Sequence, residues 1–181
     1  MTARIALTYR DYEALPNDGK RYEIHDGELY VTAAPTSDHQ IVSMRLSAFL
    51  HGHVEARQLG IVLAAPLDVI LADTTILQPD IVYLDRERRP ALHQRGVDGP
   101  PTLVVEILSP STALTDRGTK RQLCARYVVR HFWIVDLDAR AIEAYALRGA
   151  DYVLAAVASG SEPLDLPPFS GLGLIPDSLW P

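Results

Sequence analysis

Two acids stand inside apolar runs, and a lysine follows them. Asp80 lies in Gln78-Pro79-Asp80-Ile81-Val82-Tyr83-Leu84, and Glu106 lies in Thr102-Leu103-Val104-Val105-Glu106-Ile107-Leu108. Both segments read as strands, because branched and aromatic residues run between turn formers. An ionised carboxylate among apolar neighbours is costly unless it is paired or holds a metal. Lys120 comes early in a predicted helix after Glu106. Two such acids with one lysine point to a divalent-cation site that handles phosphate.

The helix that carries Lys120 sharpens this reading. Lys120, Leu123, Cys124 and Tyr127 are spaced so that they share one helical face. The apolar members turn that face toward the sheet, so Lys120 points inward. The competing readings are a lysine that snorkels outward or one that pairs only with Asp116 four positions earlier. The two strand acids favour the inward placement. An Asp after Pro at a strand start can also bond local amides, which is the bland account of Asp80. Glu106 has no polar neighbour and no such account. Glu23 alternates with Tyr22 and Ile24, and two readings stay open for it, an exposed strand residue or a ligand. His39 opens the inward stripe of the first long helix, where it is either a core histidine or a substrate contact.

These residues need elements to hold them. Thr8 with Asp11 predicts a short capped helix ending before Pro16. Asp26-Gly27 between Tyr22–His25 and Glu28–Val31 predicts a hairpin, since both turn residues tolerate positive φ. A long helix is expected from about Ser37 to Gln58, with His39, Val42, Leu46, Phe49, Leu50 and His53 inward. Strands are expected near Ile61–Ala64, Leu67–Leu71 and Gln78–Leu84, then at Glu106. A second helix should run from Thr115-Asp116 to about Val129. Strands Phe132–Asp136, Ala141–Leu147 and Tyr152–Ala158 follow. The Pro-rich stretch 159–181 carries enough apolar residues, Leu166, Phe169 and Trp180 among them, to pack on the body. The expected class is α/β (α+β), helices on a central mixed sheet in a single domain over 1–181.

Composition bounds the function. A chain of 181 residues with 48% hydrophobic residues can bury a real core. Its single cysteine, Cys124, permits no internal disulfide, and a cytoplasmic setting is expected. Met1 to Leu7 has no apolar run of signal length. The longest apolar stretch, 60–72, is interrupted by Pro66 and Asp68, so no membrane association is expected. The net charge of −6 argues against a broad polyanion footprint, although arginines cluster at Arg86, Arg88, Arg89 and again at Arg117, Arg121, Arg126, Arg130. His51-Gly52-His53 splits its rings across a helix, and one cysteine excludes thiolate zinc sites. No lysine-bearing phosphate loop is present.

Pro79-Asp80, the run Val-Val-Glu106-Ile-Leu-Ser-Pro-Ser-Thr, Lys120 and Tyr127 together resemble the Uma-two family of restriction-endonuclease-like proteins in the PD-(D/E)XK superfamily. Arg21-Tyr22-Glu23-Ile24-His25-Asp26-Gly27-Glu28, the Pro35–Gln40 segment and His131–Asp136 extend the resemblance over most of the chain. It implies a restriction-endonuclease-like fold and Mg²⁺- or Mn²⁺-dependent cleavage of DNA. Asp80, Glu106 and the Ile107 carbonyl would hold the ion, with Glu23 and Lys120 as further catalytic groups and His39 and Arg121 at the substrate. By analogy with the superfamily, a homodimer is implied. One departure stands out: the superfamily's lysine position is Leu108 here, so Lys120 would have to supply the ammonium from the helix. The alternative function is a domain of this fold that binds nucleic acid or protein without cutting.

Overall fold

The computed structural model describes residues 6–181; residues 1–5 of the expected 1–181 domain lie outside those described. Helix α1 (Tyr9–Glu13) starts where the capping signature predicts, and Asp11 accepts hydrogen bonds from both the main chain and the hydroxyl of Thr8, each at 2.8 Å. Strands β1 (Arg21–His25) and β2 (Glu28–Thr32) form the expected hairpin. Its turn holds Asp26 at φ 50° and Gly27 at φ 84°, the paired left-handed conformation that an Asp-Gly turn accommodates. Helix α2 (Ser37–Ala56) is capped by Thr36, whose hydroxyl accepts the His39 N–H. Its buried stripe is the predicted one, except that Val54 joins it and Phe49 is only half-buried.

Next come β3 (Gly60–Ala64), β4 (Val69–Ala72), β5 (Thr75–Leu77), β6 (Ile81–Asp85), β7 (Leu92–His93), β8 (Gly96–Asp98) and β9 (Leu103–Ile107). After β9 the chain enters a short helix α3 (Ala113–Thr115), a π-helical turn (Asp116–Lys120) and helix α4 (Arg121–Arg126). Strands β10 (His131–Asp136), β11 (Ala141–Arg148) and β12 (Asp151–Ala158) finish the series. The expected mixed sheet with flanking helices is present, in the order β12-β11-β10-β9-β6-β3, with β9 and β10 parallel and the other pairs antiparallel. A second mixed sheet, β2-β1-β5-β4-β8-β7, stands beside it. The sequence conceals this sheet because β5, β7 and β8 are two or three residues long, too short to display a period. The expected continuous helix to Val129 is likewise corrected. The π turn interrupts it and it ends at Arg126, with Val128 at φ 63°.

Strand alternation assigns the two faces of the larger sheet. Val105, Ile107, Trp133 and Val135 face α2, where they meet Val42, Leu46, Leu50 and Val54. Val104, Leu108, Phe132 and Ile134 face α4 and the smaller sheet, meeting Leu123, Cys124, Val69 and Val97. Glu106 alternates with the first set, so its carboxylate enters the second, interior face. The segment after β12 packs on the α2 side. Phe169 contacts the rings of Tyr83 at 4.9 Å and His53 at 5.5 Å, and the Trp133 indole donates to the Pro167 carbonyl at 2.7 Å. No helix among the described residues is long and apolar enough to cross a membrane.

Because Phe169 lies inside the α2-side core, Phe169→Ala should cost about 3–5 kcal/mol. Urea unfolding of the two proteins checks this, and a loss below about 1 kcal/mol would mean that the C-terminal stretch is not structural.

Candidate active site

Four separate stretches bring acids to one place. Alternation along β1 sends Arg21 and Glu23 to the face opposite Tyr22. Asp80 precedes β6, and the pairing of Ile81 with Val105 sets it level with Glu106 on β9. The π turn delivers Asp116 and Lys120. A single residue inserted into a helical turn re-aims the side chains around it, and such turns recur at functional sites. Glu23, Asp80, Glu106, Asp116 and Lys120 are all at most 4% exposed. They line one cavity of about 30 Å³, room for roughly a single water or ion.

Lys120 is the hub. Its Nζ lies 3.0 Å from Glu23 Oε1, 3.2 Å from Glu106 Oε1 and 3.3 Å from Asp116 Oδ1. Asp80 is held separately: its Oδ2 accepts the Ile107 N–H at 2.8 Å and faces His39 Nε2 at 3.1 Å, while Arg21 donates to Oδ1 at 2.9 Å. Glu23 accepts the Gln78 N–H at 2.7 Å and meets His25 Nε2 at 3.0 Å. His25 is itself stacked on Tyr30, ring centroids 4.1 Å apart.

Four buried carboxylates thus face two permanently charged cations, Lys120 and Arg21. The imbalance appears in their protonation. Burial opposes ionisation of Glu23, but Lys120, His25 and the Gln78 amide hold its carboxyl down to about 2. Burial likewise opposes Asp80, and His39, the Ile107 amide and Arg21 overcome it, so its pKa is lowered. Glu106 goes the other way. Burial, joined by Asp116, Asp80 and Glu23, outweighs Lys120 and lifts it well above the ordinary carboxylate range. Asp116 is also raised, chiefly by burial. Burial disfavours the Lys120 ammonium, but Glu106, Glu23 and Asp116 more than compensate and raise its pKa well above that of a free lysine.

Among the described residues, no three His, Cys, Asp or Glu side chains are arranged around one point as a ready metal cage. The acids gather around an ammonium instead. Their chemistry nevertheless fits a hard divalent cation: carboxylate oxygens from Asp80 and Glu106, the main chain of Ile107 in the same cavity wall, and negative charge that the protein's own cations do not balance.

The structure brings Glu23, Asp80, Glu106, Ile107, Lys120 and His39 together. It does not bring Arg121. With Lys120 turned inward, the next helical residue points elsewhere, and the Arg121 guanidinium lies over the Tyr145 ring at 5.1 Å, away from the cavity lining. Leu108, in the superfamily's lysine position, is buried in the α4-side core. Sequence reasoning missed two partners, Arg21 and His25, and named Asp116 only as a rival ion pair for Lys120, a pair that forms together with those to Glu23 and Glu106. Arg21 shares the Glu23 face at i−2, a legible spacing. His25 carried no signal beyond its place two residues from Glu23.

The comparisons with known proteins agree with this architecture. The model of the Uma2 family, described as "Putative restriction endonuclease", matches residues 9–176. The chain belongs to the Uma2 family. A relative from Synechocystis sp., the uncharacterized protein slr1290, is 31% identical over 107 residues, which are 59% of this chain and 55% of that protein. The chain therefore matches about half the length of that curated relative. The crystal structure of a "putative nuclease belonging to DUF820" from Anabaena variabilis superposes with a TM-score of 0.76 at 18% identity, covering 96% of this chain and 97% of that one. That likeness is one of fold.

The raised Glu106 carboxyl predicts a pH signature. Stability from a group raised in the folded state is fully present below its ordinary value of 4.5 and is lost as pH climbs through the folded value. Glu106→Gln removes that loss. In EDTA the variant should melt above wild type near pH 8, with the gain shrinking toward pH 4. A variant that melts below wild type at every pH would contradict the assignment.

Proposed function

We propose that this protein is a metal-dependent endodeoxyribonuclease, working as one domain and hydrolysing DNA phosphodiester bonds in the cavity between β1, β9 and the π turn. The observation that carries this reading is the meeting of Asp80, Glu106 and Lys120 in one buried pocket, with the ammonium 3.2 Å from Glu106 although Leu108 occupies the superfamily's lysine position. Asp80, Glu106 and the Ile107 carbonyl would hold Mg²⁺ or Mn²⁺, which supplies positive charge to acidify the attacking water and to draw electron density from the phosphoryl oxygens.

The protein's own groups then divide the remaining work. Lys120 stays protonated, because the surrounding acids raise its pKa, so it does not serve as the base. It donates hydrogen bonds to the water and to the negative charge that develops on phosphate. Glu23, ionised and anchored by Gln78 and His25, accepts from the same water and orients it. Arg21 and His39 fix the Asp80 carboxylate, and both reach the cavity wall where substrate enters.

A second reading is a domain that binds nucleic acid without cutting it. The observation in its favour is that Lys120 already occupies the centre of the acids.

Supercoiled plasmid incubated with Mn²⁺ or Mg²⁺ and with EDTA separates the two. Cleavage should require the metal, disappear in Asp80→Asn, and fall about 10²–10³-fold in Lys120→Ala, the usual cost of losing one electrostatic donor. Intact plasmid in every metal, together with retained DNA binding, would favour the non-cutting reading.

A further inference from the structure

Next to the catalytic pocket is a second cavity of about 470 Å³, within the range of small-ligand sites, ~300–1,000 Å³. Three tyrosines line it: Tyr9 and Tyr12 from α1 and Tyr22 from β1. Tyr9 and Tyr12 lie nearly parallel, 26° apart with centroids 6.0 Å apart, and the Arg95 guanidinium covers Tyr9 at 5.1 Å. Tyr22 has no ring partner among the described residues; only its hydroxyl is engaged, by Asp18 at 2.9 Å. Gln78 belongs to both cavities. Its main-chain N–H holds Glu23, and its side-chain amide donates to Tyr12 Oη at 3.0 Å and to Asp68 at 2.8 Å. Strand β1 is the wall between the two spaces, with Glu23 on one side and Tyr22 on the other.

Electrostatics cannot be what this groove offers a strand. Lys20 is paired with Asp18, Arg95 with Asp98, and the whole chain carries −6. Aromatic faces attract bases without needing net positive charge, and they do so with little sequence preference. We propose that the tyrosine groove stacks an unpaired base of a single-stranded DNA segment whose backbone runs on across the surface toward the mouth of the catalytic pocket. The choice of DNA rests on the nuclease reading above; the stacking chemistry does not. The groove accepts a base only when it is free of its duplex partner, so frayed ends, flaps and single strands fit it and an intact duplex does not.

The test is fluorescence anisotropy with the full-length protein in EDTA, which removes metal-dependent cleavage from the readout. The probes are labelled dT10, an abasic decamer of the same charge, and a blunt duplex. The abasic decamer and the duplex should each bind about tenfold or more weakly than dT10, and the salt dependence of dT10 binding should be shallow. Tyr22→Ala should weaken dT10 about tenfold and leave the abasic decamer unchanged, while Tyr22→Phe, which keeps the ring, should bind dT10 as wild type does. Equal affinity for dT10 and the abasic decamer overturns the proposal. So does duplex binding as tight as dT10, or a folded Tyr22→Ala that binds dT10 normally. Should Tyr22→Ala fail to fold, NMR of the wild-type protein decides: Tyr22 ring protons shift upfield on dT10 addition, and unmoved resonances overturn the assignment. Base-dependent binding without plasmid cleavage would remove the nuclease reading and leave the groove standing, whereas cleavage with base-independent binding would remove only the groove.

Discussion

Three carboxylates share one ammonium group in the interior, and the elements around the cavity are arranged to keep it there. Lys120 is 4% exposed, and at that depth an unpaired charge on either side would cost several kcal/mol. The π turn aims the lysine, β1 and β9 supply Glu23 and Glu106, and Asp116 comes from the turn itself. Each of these placements makes sense only with the others. Removing the ammonium leaves three buried acids with no cation among them, and removing one acid relieves the crowding. Burial first, and then the neighbouring acids Asp116, Asp80 and Glu23, raise the Glu106 carboxyl well above the range of an exposed carboxylate despite Lys120. A site in that condition has capacity for added positive charge, which is the property a divalent-ion site requires.

Much of this was legible in the sequence because the relevant signals are local. Asp-Gly fixed the hairpin through positive φ, Thr8 with Asp11 fixed the first helix, and the apolar period of α2 marked its buried face. The two acids betrayed themselves by standing in runs of Val, Ile and Leu. What stayed hidden depends on pairing across distance or on a local irregularity. Strands β5, β7 and β8 exist because other strands offer them partners, and their own two or three residues cannot announce it. The π turn interrupts a helix whose periodicity otherwise reads as continuous. Arg121 was expected at the substrate only through the family resemblance; as the residue after an inward Lys120 it points away and covers Tyr145.

The proposed reading asks an acidic protein to engage a polyanion. The cations nearest the cavity, Arg21 and Lys120, are spent on carboxylates, so on that reading attraction for a strand would come from a metal and from aromatic surface rather than from a basic patch. Gln78 links the two cavities physically, since one residue anchors Glu23 through its main chain and Tyr12 through its side chain.

The claim on which everything else depends is that Lys120 is the charge that lets Glu23, Glu106 and Asp116 be buried together. Urea unfolding of Lys120→Met at pH 7 in EDTA addresses it directly, because methionine retains much of the side chain's bulk and removes only the ammonium. A stability loss of about 3–5 kcal/mol is predicted. A variant as stable as wild type would contradict the account.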